Sequence, residues 1–154
     1  MKYVCTLIAV KDIEKSKKFY YDILGQEVIM DLGANVTLTG GFALQTSDSW
    51  ENFIHKSHEE IAYGNNDAEL YFEEDDMDSF VQKLGKFDIK YVHPLKKHSW
   101  GQRVVRFYDL DKHIIEVGEN IAVVAKRFID NGMTVEQTAI RMDVPIEYIK
   151  SLLK

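Results

Sequence analysis

Cysteine is almost absent from this chain. Cys5 stands alone among 154 residues, so no intrachain disulfide can form and no paired-cysteine motif exists. Cationic charge is also short. Nineteen Lys and Arg face twenty-five Asp and Glu, a formal charge of −6, which argues against a general binder of nucleic acid or anionic membrane. No apolar run approaches membrane-spanning length. The opening MKYVCTLIAVKDIEKS turns charged at Lys11 and has no small-residue cleavage pattern, so it reads as a strand, not a signal peptide. Walker, Rossmann and nucleophile-elbow motifs are missing. With 45% hydrophobic and 29% charged residues and only two prolines, the composition is that of a globular protein. The length suits one domain with an appendage and a real core. A single unpaired cysteine fits a reducing cytoplasm.

What is present is a repeat. Tyr3–Val10 reads as a buried strand. Asp12 is an N-cap, Ile13, Phe19, Tyr20, Ile23 and Leu24 follow at helical spacing, and Gly25 is the stop. Strands are expected over Glu27–Asp31, Asn35–Thr39 and Phe42–Thr46, with Gly40-Gly41 as a hairpin turn. Residues 47–67 are polar and read as a linking loop with a short helix. The first pattern then returns: strand Ala68–Glu73, N-cap Asp76, helical Met77, Phe80, Val81 and Leu84, Gly85 as the stop, strand Ile89–Val92, and loop Pro94–Gly101. Sliding the halves over each other puts Cys5 on Glu69, Asp12 on Asp76, Gln45 on Glu116 and Gly40-Gly41 on Asp111-Lys112. The unit is strand–helix–strand–strand–strand, twice. It implies an α+β fold of two βαβββ modules, with helices on one face of mainly antiparallel sheets.

The second module closes with HSWGQRVVRFYDLDKHIIEVGE, residues 98–119. Gln102–Tyr108 and His113–Val117 read as strands about a turn at Asp109–Lys112. That hairpin pairs Arg106 with Glu116. Alternation puts Gln102, Val104, Arg106 and Tyr108 on one face with Ile114 and Glu116, and Arg103, Val105, Phe107 and Ile115 on the other. A Gln, an Arg and a Glu on one face of a central hairpin mean that the face is wet or lines a site.

VCTLIAVKDIEKSKKFYYDILG resembles the opening strand and helix of the vicinal oxygen chelate superfamily, which includes glyoxalase I, bleomycin-resistance proteins and extradiol dioxygenases. RVVRFYDLDKHIIEVGE is similar to its closing hairpin. The likeness spans residues 3–119 and implies that the two sheets curl into a cupped mixed sheet, often as a homodimer. It makes 1–119 a glyoxalase-like domain, with modules 1–46 and 68–119 and linker 47–67, and leaves 120–154 as a tail. It places metal-ligand positions at Cys5, Gln45, Glu69 and Glu116. Gln45, Glu69 and Glu116 then supply oxygens for nickel, zinc, manganese or iron, with Cys5 a degenerate fourth position. Two functions follow. In a lyase or isomerase of the glyoxalase I type, Glu116 and Glu69 are the catalytic carboxylates and one shuttles a proton. That enzyme is the alternative; the leading reading is a glyoxalase/bleomycin-resistance-like binding protein with no cofactor. Arg106, one strand-spacing from Glu116, replaces the metal and anchors an anionic or polar small molecule. Gln102 and Tyr71 bind it through hydrogen bonds, Trp100 supplies an apolar wall with Trp50 or Phe42, and His98 is an acid or base.

His55, His58 and Glu59 would share a side of a helix and could hold zinc, against the simpler reading of a solvated linker. In the tail, Asn120 and Thr134 cap two helices, and Pro145 opens a third within MTVEQTAIRMDVPIEYIKSLL, which is similar to generic helix-turn-helix units. A ligand-responsive regulator would use such a unit. The whole tail, residues 120–154, carries five basic and four acidic side chains and is nearly neutral, which argues against nucleic acid as a partner.

Overall fold

The computed structural model describes Met1–Lys154. Two compact units divide the chain. The first holds residues 1–67 and the hairpin tip 109–113, and the second holds 68–108 and 114–154.

The first unit begins with β1 (Thr6–Val10) and α1 (Ile13–Leu24). Asp12 accepts the Lys15 amide, and Gly25 ends α1 in the left-handed region at φ 66°. β2 (Val28–Asp31), β3 (Asn35–Leu38) and β4 (Phe42–Thr46) complete a sheet of order β1-β4-β3-β2. β1 runs parallel to β4 and the other pairs are antiparallel. Val10, Val36, Leu38, Phe42 and Leu44 alternate onto one face and bury with Tyr20 and Ile23 of α1. The linker is more ordered than its polarity suggests. It forms α2 (Ser47–Ile54) and a single 3-10 turn, His58–Glu60. His55 takes the left-handed cap of α2 and His58 pairs with Glu51 at 2.7 Å, so the zinc triplet does not form on a helix. The hairpin tip buries two carboxylates, Asp109 and Asp111. Asp109 accepts from the Tyr20 hydroxyl and from His113 Nδ1, both at 2.8 Å, and from the amides of Asp111 and His113.

The second unit repeats the plan with β5 (Glu69–Glu74), α3 (Met77–Leu84), β6 (Tyr91–Lys97), β7 (Arg103–Tyr108) and β8 (Ile114–Glu119), in the order β5-β8-β7-β6. β6 corrects the expectation of a loop from Pro94. It runs through the proline as an edge strand, where a missing N–H costs no ladder bond, with register shifts on both sides of His93. Met77, Phe80 and Leu84 of α3 bury, as do Val105, Phe107, Ile115 and Val117 on one face of the sheet. The tail belongs to this unit and forms α4 (Ile121–Asp130), α5 (Val135–Met142) and α6 (Ile146–Leu152). Val124, Ala125, Ala139, Met142 and Ile149 make its core.

Register refines the repeat. Ala9 pairs with Gln45, and Glu73 pairs with Gly118. With Asp12 and Asp76 as matching caps, Gln45 therefore corresponds to Gly118, and Ala43 to Glu116. The sliding match of Gln45 to Glu116 is two residues off. The hairpin tip of the second module, Asp109–His113, is longer than Thr39–Gly41 of the first, and a constant sequence offset cannot absorb that difference.

Candidate functional site

One face of β5-β8-β7-β6 is polar. Tyr71, Glu116, Arg106 and His93 form a cross-strand row, since Tyr71 pairs with Glu116, Glu116 with Arg106, and Arg106 with His93. Glu69 and Glu73 flank Tyr71 on the same face of β5, by alternation.

Arg106 is the centre of this row. Its Nε donates to Glu69 Oε2 at 2.9 Å, its Nη2 pairs with Glu116 Oε2, and its Nη1 meets His93 Nε2 at 3.3 Å. His93 Nδ1 lies 2.9 Å from the Pro94 carbonyl oxygen, which only accepts, so Nδ1 carries the proton. Nε2 is then the acceptor for Arg106. Glu116 is buried, whereas Glu69 and Arg106 are partly open. Two carboxylates against one guanidinium leave one unit of negative charge on the cluster.

A second chain of bonds runs beside it. Trp100 Nε1 donates to Gln102 Oε1 at 3.2 Å, and Gln102 Nε2 donates to the Tyr71 hydroxyl at 3.1 Å and to the Glu119 carbonyl at 2.9 Å. The Tyr71 hydroxyl donates to Glu73 at 3.0 Å. Burial raises the Tyr71 hydroxyl pKa; the Gln102 bond opposes that rise and Glu73 adds to it. Gly118 makes the crossing possible, because a Cβ there would sit 2.9 Å from Gln102 Nε2 and 3.0 Å from the Tyr71 ring. His98 stacks flat on Trp100, with centroids 4.0 Å apart and planes 12° off parallel. Burial, then the charges of Arg106 and His93, hold the His98 imidazole below its ordinary pKa.

The face thus gathers Glu69, Tyr71, Arg106 and Glu116, with Gln102, Trp100 and His98 joined to it from the loop entering β7. His93, Glu73 and Gly118 join them without having been singled out in the sequence. Pro94 hides His93 in the sequence, because a proline marks the end of a central strand. Gln45 and Cys5 belong to the first unit. There Gln45 accepts from Asn35 at 2.7 Å and donates to Ser49, and Cys5 precedes β1.

These residues do not fit a divalent metal. Glu69 and Glu116 both spend oxygens on Arg106, whose fixed charge takes the place a cation would need. Both ends of the Gln45 amide are satisfied, and the position matching Glu116 in the first module is Ala43, which has no donor group. No group of three His, Cys, Asp or Glu is placed to hold a metal ion.

The glyoxalase-like domain family matches residues 3–122, more than three quarters of the chain. This chain belongs to that family. It falls within the vicinal oxygen chelate superfamily, with the two βαβββ modules the superfamily implies. Among solved structures, a protein of unknown function from Agrobacterium tumefaciens is 42% identical. The match covers 78% of this chain and 94% of that one, at a TM-score of 0.71. A lactoylglutathione lyase from Agrobacterium tumefaciens is similar at 21% identity and a TM-score of 0.60, covering 78% of this chain and 94% of that one. A glyoxalase/bleomycin resistance protein/dioxygenase from Nocardioides shares the fold at 16% identity and a TM-score of 0.61, with 77% and 83% covered. No curated protein matches the chain. The family match stops at residue 122, so nearly all of the tail lies beyond it.

Proposed function

We propose that this family member binds a small polar molecule, uncharged or cationic and with a planar apolar part, on the polar face of its second sheet, and uses no metal to do so. The observation that carries this reading is the Arg106 cluster. A guanidinium shared by Glu69 and Glu116 has little attraction left for an anion, and the cluster's net charge is negative. Of the anionic and polar ligands expected from the sequence, the polar kind suits it. Glu69 and Glu73 offer exposed acceptors, and the His98–Trp100 stack offers an aromatic surface for stacking or a cation–π contact.

A metal-dependent lyase or isomerase needs Glu69 and Glu116 freed from Arg106, and no observation favours that. A DNA-binding regulator needs free cations on α6, where Lys150 is held by Glu147 at 2.8 Å. The homodimer expected from the resemblance is kept in the proposal. β2 is an edge strand with Ile29 and Met30 exposed, and a purely monomeric sedimentation profile would remove this part.

Metal-free bleomycin is a suitable cationic probe, since a structural neighbour carries that name. Its titration into protein carrying Trp50→Phe is expected to quench Trp100, and Glu69→Gln to weaken that binding about tenfold. A probe of equal size bearing only carboxylates is expected not to bind. Tighter binding of the anionic probe would overturn the reading.

A further inference from the structure

The loop His98–Gln102, which carries the aromatic wall, makes two backbone hydrogen bonds of its own. His98 N donates to Gln102 O at 2.8 Å, and Gly101 N to His98 O at 2.9 Å. Two of its other backbone acceptors, Ser99 O and Gly101 O, are met by the tail. Arg127 of α4 donates through Nη2 to Gly101 O at 2.9 Å, while its Nη1 pairs with the buried Glu119. Arg141 of α5 donates through Nη1 to Ser99 O, and its guanidinium lies over the Phe128 ring at 5.5 Å.

Phe128 in turn presses on Gly101. A Cβ on Gly101 would lie 2.3 Å from Phe128 Cζ, and the residue sits at φ +98°, so only glycine satisfies both the backbone and the contact. Loop and tail are therefore fitted to each other at three points, on two helices.

We propose that Arg127, Phe128 and Arg141 are positioning residues: the helical tail holds the His98–Trp100 stack in place and so sets the wall of the ligand site. The ligand role of that wall rests on the function proposed above. The positioning does not, and its test needs no ligand. A loop that opens by local fluctuation exposes its bonded amides to exchange, and a charge-assisted hydrogen bond restrains that opening.

The test is amide hydrogen exchange at His98 and Gly101, with acrylamide quenching of Trp100 in the Trp50→Phe background. Arg141→Ala is expected to speed exchange at both amides roughly tenfold and to raise quenching, while amides within β7 and β8 keep their protection. Arg141→Lys retains a cationic donor and is expected to restore part of the effect. Gly101→Ala attacks the same contact from the loop side and is expected to reproduce it. Lys150→Ala, which breaks only an exposed pair within α6, is expected to leave the loop unchanged. Unaltered exchange at His98 and Gly101 in both Arg141→Ala and Gly101→Ala would overturn the proposal. So would equal acceleration in Lys150→Ala, since the effect would then be general loosening. Normal loop exchange without probe binding would count against the ligand reading and leave the positioning intact.

Discussion

Removing Arg106 leaves Glu116 buried with Glu69 nearby and no cation between them. Breaking one side of a buried ion pair costs more than the pair itself contributes, because the remaining charge stays out of water. Arg106→Ala is expected to lower unfolding stability by about 3–5 kcal/mol in urea melts. The double variant Arg106→Met with Glu116→Leu is expected to recover most of that loss, whereas an additive loss would mean that the two side chains do not act as a pair. His98 gives a second prediction. Its imidazole pKa is depressed, so the folded state favours the neutral ring and the unfolded state binds the proton first. The stabilising contribution is present above the ordinary value of 6.5 and fades as pH falls through the lower folded value. Trp100 emission in the Trp50→Phe protein is expected to titrate with a midpoint below 6.5, and a midpoint above it would contradict the burial argument. The pairing of Arg106 with Glu116 was legible in the sequence because alternation and turn length decide it. What surrounds that pair was not, since Glu69 arrives from a strand distant in sequence and His93 lies beside a proline that marks a strand end.

At the scale of elements, Glu119 at the end of β8 ties four segments together. It accepts from Arg103 of β7 at 2.9 Å and from Arg127 of α4, and Arg103 continues to Asp78 of α3 at 2.7 Å. Burial pushes the Glu119 carboxyl up, but bonds from Arg127 and Arg103 outweigh it and hold the pKa below its ordinary 4.5. A depressed carboxyl contributes stability above its unfolded pKa and loses it as pH falls through the folded one. Glu119→Gln is therefore expected to cost about 3 kcal/mol at pH 7 and progressively less as pH falls below the ordinary 4.5. An equal cost at both pH values would mean that packing, not charge, is lost. Element ends followed from the sequence where a cap decides them, as at Asp12, Asp76, Asn120 and Thr134. They failed at β6, where edge position overrode proline, while the short helix expected in the linker is present as α2. Glu119 itself had no sequence signal, because its two arginines come from different helices and strands of the fold.

At the scale of the whole chain, the repeat made both βαβββ modules legible, since each carries its own capped helix and its own apolar alternation. No helix is long and apolar enough to cross a membrane. The tail's three helices were legible from caps and stripes, but its bonds to the loop His98–Gln102 were not, because Arg127, Phe128 and Arg141 read as ordinary surface and core residues. The longer second hairpin tip hid the true register, and with it Ala43 opposite Glu116 in the repeat. That register bears directly on the metal. Elemental analysis of protein purified without chelators, beside Glu116→Ala, tests most directly whether Arg106 has taken the metal's place. Nickel, zinc, manganese and iron are each expected far below one per chain in both proteins. Stoichiometric metal in the native protein that disappears in Glu116→Ala would contradict the account.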